Sequence, residues 1–147
     1  MPCLLQVKGR FEFLPETGGV HVVVDYAHTP QALTNVLYTA RQIADTGRVI
    51  CVFGCGGGRD AGKRPEMGLA ALCGADAIIV TSDNPRTESP DKIIEEILAG
   101  MKISNSENDL TGTVSSGRVA NEVLVEPDRR EAIAIAIGMA KPGDLIL

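Results

Sequence analysis

Three short stretches of this chain concentrate side chains able to do chemistry. The first, Asp25-Tyr26-Ala27-His28-Thr29-Pro30, brings together a carboxylate, a phenol and an imidazole. Asp25 can accept hydrogen bonds from a ribose or an amine. His28 can donate to a phosphate or stack on a base. The plainer reading makes Asp25 and Thr29 helix caps and leaves His28 exposed. The second stretch, Gly54 to Lys63, holds five glycines. Such a loop lets the backbone approach a ligand closely and can turn N–H groups toward an anion. It is not a G-x-x-x-x-G-K-[ST] phosphate loop. It also fails G-x-G-x-x-G, because Arg59 stands where the third glycine belongs, which argues against a nicotinamide dehydrogenase. Arg59, Lys63 and Arg64 add positive charge, and Arg59 can grip a carboxylate with two parallel hydrogen bonds. The third stretch is Asp83-Asn84-Pro85-Arg86. Asp83 suits an ammonium, Asn84 serves either polarity, Pro85 stiffens the turn and Arg86 suits a carboxylate. Together they can read a zwitterion. As an ordinary turn they would leave Arg86 merely solvated.

The elements around these stretches decide whether they meet. His21 to Asp25, Val49 to Phe53 and Ala77 to Val80 are β-branched or apolar runs that read as buried strands, and each is followed by one of the three loops. Thr29-Pro30 starts a helix with apolar Leu33, Val36, Leu37, Ala40 and Ile43 on one face, and Gly47 is expected to stop it. Arg64-Pro65 starts a second helix that ends at Gly74. Ser89-Pro90-Asp91 starts a third, expected to end at Gly100. Residues 103–121, rich in Ser, Asn, Thr and Gly, read as a loop or insertion. Val123 to Val125 is a fourth strand, Pro127-Asp128 caps a helix over Arg129 to Ala140, and Leu145 to Leu147 begins a fifth strand. A short strand is expected near Arg10 to Leu14. Repeated strand–helix units predict an α/β fold: a Rossmann-like, doubly wound, mainly parallel sheet with helices on both faces. In such sheets ligands bind beyond the carboxyl ends of the strands, where all three loops fall.

Bulk properties agree with one soluble domain. The chain has 147 residues, 44% apolar and 22% charged, and its few aromatics leave the core to Val, Ile, Leu and Ala. A net charge of −5 with no basic stripe argues against nucleic acid and anionic membrane as partners. No apolar run is long enough to span a bilayer, and the N-terminus has no secretory pattern. The four cysteines, Cys3, Cys51, Cys55 and Cys73, read as reduced thiols of a cytoplasmic protein. With two histidines in the chain, a closed zinc site is not expected.

The motifs Val-Asp-Tyr-Ala-His-Thr-Pro, Phe-Gly-Cys-Gly-Gly-Gly-Arg-Asp-x-Gly-Lys-Arg-Pro and Thr-Ser-Asp-Asn-Pro-Arg, in this order and spacing, resemble the Mur ligases. Gly9-Arg10-Phe11-Glu12 and Glu126-Pro127-Asp128-Arg129-Arg130-Glu131-Ala132-Ile133 add to the likeness, which spans nearly the whole chain outside 103–121. The branch it most resembles joins meso-diaminopimelate to UDP-N-acetylmuramoyl-L-alanyl-D-glutamate in peptidoglycan biosynthesis, and so serves cell shape and division. The resemblance implies a Rossmann-like third domain that brings in the amino acid. ATP and Mg2+ are held mainly by a central domain. ATP phosphorylates the acceptor carboxylate, the amino group attacks the acyl phosphate, and phosphate leaves. By position it implies that Arg59, Asp83, Asn84, Pro85 and Arg86 bind meso-diaminopimelate, and that Arg10, Asp25 and His28 touch ATP. The N-terminal and central domains and a Gly-Lys-Gly-His-Glu segment expected after Leu147 are not among these 147 residues. On that reading the pocket is incomplete, the chain alone is inactive with no catalytic residues of its own, and stability is modest. The alternatives are a lysine-adding or folylpolyglutamate-like ligase of the same superfamily, against which Arg86 argues for the lysine case, and a non-catalytic binding or regulatory module that keeps the fold.

Overall fold

A computed structural model describes residues 8–15, 18–102 and 122–147, together with the helical backbone of 103–108. Its elements are β1 (Glu12–Phe13), β2 (His21–Val24), α1 (Pro30–Ala44), β3 (Val49–Phe53), α2 (Lys63–Gly74), β4 (Ala77–Val80), α3 (Pro90–Asn108), β5 (Glu122–Val125), α4 (Arg129–Met139) and β6 (Leu145–Ile146). One six-stranded sheet runs in the order β1-β2-β6-β3-β4-β5. All neighbours are parallel except the β1–β2 pair at one edge.

The strand order dictates where the helices lie. From β2 through β3 and β4 to β5 the chain always steps toward the same edge, so right-handed crossovers put α1, α2 and α3 on one face. From β5 the chain turns back to β6, and the same rule sends α4 to the other face. The residues alternate accordingly. Val49, Cys51, Phe53, Ile78 and Val80 pack with Leu33 and Leu37 of α1, Met67 and Ala71 of α2, and Ile93, Ile94 and Ile97 of α3. Ile50, Ala77, Ile79 and Ile146 pack against Ala132 and Ala136 of α4. This is the doubly wound, mainly parallel architecture that the sequence implies.

The caps follow the side chains. Thr29 Oγ1 accepts the Ala32 N–H at 3.2 Å and starts α1. Asp128 Oδ1 accepts the N–H groups of Arg130 at 2.8 Å and Glu131 at 3.2 Å and starts α4. Asp144, buried at the entry to β6, accepts from Arg48 N, Nε and Nη2 and from Lys141 N, all within 3.1 Å. Burial by itself would push its carboxyl up. The donors from Arg48 and Lys141 outweigh that and hold it below the usual range.

Several expectations need correcting. Helix α3 does not stop at Gly100 but continues to Asn108. Gly100 is there because α2 comes too close for any side chain: a Cβ would lie 1.9 Å from the Pro65 carbonyl oxygen. The expected loop over 103–121 is therefore helical through 108, and its remainder, 109–121, lies outside the described residues. Helix α1 ends at Ala44, ahead of Gly47, with Asp45 in the left-handed region at φ 50°. Gly47 instead admits the Gly143 carbonyl, which would stand 1.9 Å from a Cβ. The remaining bounds shift by one or two residues. Leu147 falls outside β6, but its N–H still donates to Ile50 O and its carbonyl accepts from Val52 N.

Candidate functional site

Pairing of β6 stops at Val22 on one side and Ile50 on the other. A cleft of about 600 Å³ lies at the carboxyl edge of the sheet, lined by the ends of β2 and β3, by Leu147 and by the loops that follow the strands. The three loops named above meet at its rim, and Asp25, His28, Arg59, Asp83, Asn84 and Arg86 all line it. Arg10 and Pro85 are not among the lining residues. Arg10 is exposed on the turn before β1, and the Pro85 carbonyl packs close against Gly57.

The loop after β2 presents Asp25, whose Oδ2 accepts the Phe11 N–H at 2.7 Å. One carboxylate oxygen thus ties β2 to the segment preceding β1. The His28 Nδ1 lies 3.0 Å from Tyr26 O, and the two rings stand 5.1 Å apart and tilted. That arrangement leaves Nε2 as the outward nitrogen. The Lys63 ammonium donates to His28 O at 2.8 Å, joining this loop to the start of α2.

The glycine-rich loop and the Asp83–Arg86 loop form one unit. Gly57 N–H donates to Asn84 O at 3.1 Å, and Arg86 Nη1 donates to Gly57 O at 3.1 Å. A Cβ on Gly57 would lie 1.9 Å from Pro85 O, and one on Gly54 would lie 2.2 Å from Thr81 O. Glycine is required at both positions by close approach of backbone. The partner loop carries its own strain: Asn84 and Arg86 sit in the left-handed region, at φ 45° and 54°. Asparagine tolerates that conformation well and arginine less so. Asp83 faces Arg129 of α4 at 3.5 Å, and both side chains are about half exposed.

The charge of Arg64 is not offered to a ligand. Its side chain is 1% exposed and lies between Glu88 and Glu96. Nη1 and Nη2 reach the two oxygens of Glu88 at 2.9 and 3.0 Å, and Nη1 also reaches Glu96 at 2.6 Å. Glu88 additionally accepts the Gly58 N–H at 2.6 Å. The Arg64 side chain and that N–H draw the Glu88 carboxyl down to about 2, while Glu88 and Glu96 push the Arg64 guanidinium further up. These glutamates escaped the motif reading. One signal pointed to the burial of Arg64: it falls on the helical stripe with Met67, Gly68 and Ala71, which are all buried.

The thiols divide by depth. Burial pushes Cys51 up to about 12 and Cys55 to about 11, whereas Cys73 is exposed. Among the described residues no group of three or more His, Cys, Asp or Glu is placed to hold a metal, and no helix is long and apolar enough to cross a membrane.

A mainly parallel sheet with helices on both faces, and a cleft at its carboxyl edge rimmed by cations and two carboxylates, makes this a Rossmann-like α/β domain. The chain belongs to the Mur ligase family: residues 9–147 match the family model described as "Mur ligase, glutamate ligase domain". It is 49% identical over 141 residues to a UDP-N-acetylmuramoyl-L-alanyl-D-glutamate--2,6-diaminopimelate ligase of Clostridioides difficile, covering 96% of this chain and 26% of that protein. It is also 49% identical over 142 residues to the Aquifex aeolicus protein of the same name, covering 97% of this chain and 26% of that one. A solved structure of a ligase so named superposes with a TM-score of 0.74 at 40% identity, over 97% of this chain and 26% of that chain. The chain thus spans about a quarter of the length of these relatives.

Proposed function

We propose that this chain is the amino-acid-binding domain of an ATP-dependent ligase that adds meso-diaminopimelate to UDP-N-acetylmuramoyl-L-alanyl-D-glutamate in the cytoplasm. The observation that carries the reading is the convergence of Arg59, Asp83, Asn84 and Arg86 on one cleft. Meso-diaminopimelate has two ammonium and two carboxylate groups, and the rim offers a partner for each sign. Asp83 accepts from an ammonium, with Arg129 making way. Arg86 keeps one nitrogen on Gly57 O and turns the rest of its fork to the distal carboxylate. Arg59, exposed on the glycine-rich loop, takes the other carboxylate. Lysine lacks the distal carboxylate and forfeits the Arg86 pair. A hydrogen bond to a charged group is worth about 1.5–3 kcal/mol, which amounts to roughly tenfold or more in affinity.

The same cleft has an edge for a nucleotide. His28 and Tyr26 offer a tilted aromatic pair to a base, and Asp25 offers its Oδ1 to a ribose. Arg10 reaches ATP only through a closed arrangement with further domains. ATP supplies the phosphoryl group that activates the acceptor carboxylate. The family resemblance assigns ATP and Mg2+ mainly to a central domain of the longer enzyme. What this chain does is bind and orient the amino acid, so that its amine faces the activated carboxyl.

An amide NMR titration with meso-diaminopimelate, then lysine, then ATP tests the reading. The expected result is shifts at Arg59 and at Asp83 to Arg86 with meso-diaminopimelate only, and at Asp25 and His28 with ATP. Equal responses to meso-diaminopimelate and lysine would sink the role given to Arg86.

A further inference from the structure

Glu88 is absent from every motif that pointed to the cleft, yet it holds one end of a peptide plane whose other end holds Arg86. The peptide in question joins Gly57 to Gly58. Its N–H, on Gly58, donates to Glu88 Oε1 at 2.6 Å. Its carbonyl, on Gly57, accepts from Arg86 Nη1 at 3.1 Å. In a trans peptide the N–H and C=O point in opposite directions, so the two side chains grip the plane from opposite edges. Both flanking residues are glycines, and Gly58 sits at φ 62°, so no Cβ resists rotation of this peptide. Rotation would turn the carbonyl away from Arg86. The Arg86 side chain also lies along Gly58, with its Cδ and Nη1 3.5 Å from where a Cβ would be.

We propose that Glu88 is a positioning residue for Arg86: by fixing the Gly57–Gly58 peptide it decides where the Arg86 guanidinium points in the cleft. Glu88 is itself fixed by Arg64, which takes both of its oxygens, and Arg64 is anchored in turn by Glu96 of α3. The chain of contacts therefore runs from the packed interface of α2 and α3 through Arg64, Glu88 and one peptide to the tip of Arg86. Hydrogen bonds on both ends of a peptide polarise it in the same sense, so each strengthens the other. Glu96 provides the control. It steadies Arg64 but reaches the Gly57–Gly58 peptide only at second hand, through Arg64 and Glu88.

The test compares Glu88→Ala, Glu88→Gln and Glu96→Ala in this chain by NMR, with no ligand present. In Glu88→Ala the Gly58 amide should exchange roughly tenfold faster or more, as expected for losing a bond to a charged acceptor. The Arg86 Nε–H should show a smaller heteronuclear NOE. Glu88→Gln keeps an acceptor oxygen and should lie between that variant and the parent, also serving if Glu88→Ala does not fold. Glu96→Ala should lower the melting temperature and move Gly58 exchange and the Arg86 signal less than Glu88→Ala does, because Arg64 still holds both oxygens of Glu88. Parent-like Gly58 exchange and Arg86 dynamics in both Glu88 variants overturn the proposal, as does an equal effect of Glu96→Ala on both probes. A second arm rests on the amino-acid reading above: Glu88→Ala should lose the roughly tenfold preference for meso-diaminopimelate over lysine. If the parent binds neither ligand, that reading fails while the ligand-free arm still decides the role of Glu88.

Discussion

Replacing Gly57 by alanine should uncouple the two recognition loops while leaving the core intact. The added Cβ would stand 1.9 Å from Pro85 O and 2.6 Å from Pro85 C, so the loops must separate by more than 1 Å. Both atoms are backbone, and no rotamer change relieves the contact. A separation of that size takes the Gly57 N–H to Asn84 O bond, now 3.1 Å, out of hydrogen-bonding range. It also breaks the Arg86 to Gly57 O bond, likewise 3.1 Å. At about 1 kcal/mol each, the two losses total roughly 2 kcal/mol. For a domain of this size that corresponds to a drop of about 4–8 °C in melting temperature. Differential scanning fluorimetry or urea unfolding reads it directly. The same variant should lose meso-diaminopimelate shifts at Asp83 to Arg86, because displacements of this order ruin the geometry of a charged clamp. A melting temperature within about 1 °C of the parent would show that the loops part freely, and would refute the claim that they act as one unit.

Gly138, inside α4 with nothing within 4 Å of a Cβ, should tolerate alanine with a gain of about 0.5 kcal/mol from helix propensity; a loss in urea unfolding would contradict the open space. Iodoacetamide at pH 7.5 should modify Cys73 and spare Cys51 and Cys55, whose thiols burial pushes to about 12 and 11; peptide mapping that finds either of them labelled in the native state would contradict their burial. Glu88 is held near 2 against its usual 4.5, so its stabilising contribution is complete above about pH 5 and is lost as pH falls through 4.5 toward 2. The melting temperature should fall across that window, and the fall should be shallower in Glu88→Gln; parallel curves would remove Glu88 from the acid limb.

Much of this organisation was legible in the residues. Strands β2, β3 and β4 announce themselves as branched apolar runs, and each ends at a polar or glycine residue that opens a rim loop. Because parallel sheets bind at their carboxyl edge, naming the strands located the cleft. What stayed hidden depends on residues far apart in the chain. The chemistry of Arg64 looked ligand-directed; its place on the helical stripe with Met67 and Ala71 hints at burial, and its contacts with Glu88 and Glu96, 24 and 32 residues away, show where its charge goes. Gly100 carries the usual mark of a helix end. Its real cause is the Pro65 carbonyl of another helix, which local sequence does not record. The place of β6 between β2 and β3 is equally silent, since two apolar residues can pair in many positions.

That strand order also bears on how the molecule is made. β6 follows the other described strands in sequence, yet it lies in the middle of the sheet. Until it arrives, β2 and β3 cannot pair with each other at their native spacing, and each offers an open edge to any passing strand. A ribosome releases the N-terminal strands first, at about 5–20 residues per second. A nascent chain therefore carries two half-sheets, β1-β2 and β3-β4-β5, that wait for a keystone made after them. The cleft lies across that seam and takes its shape only when the seam closes.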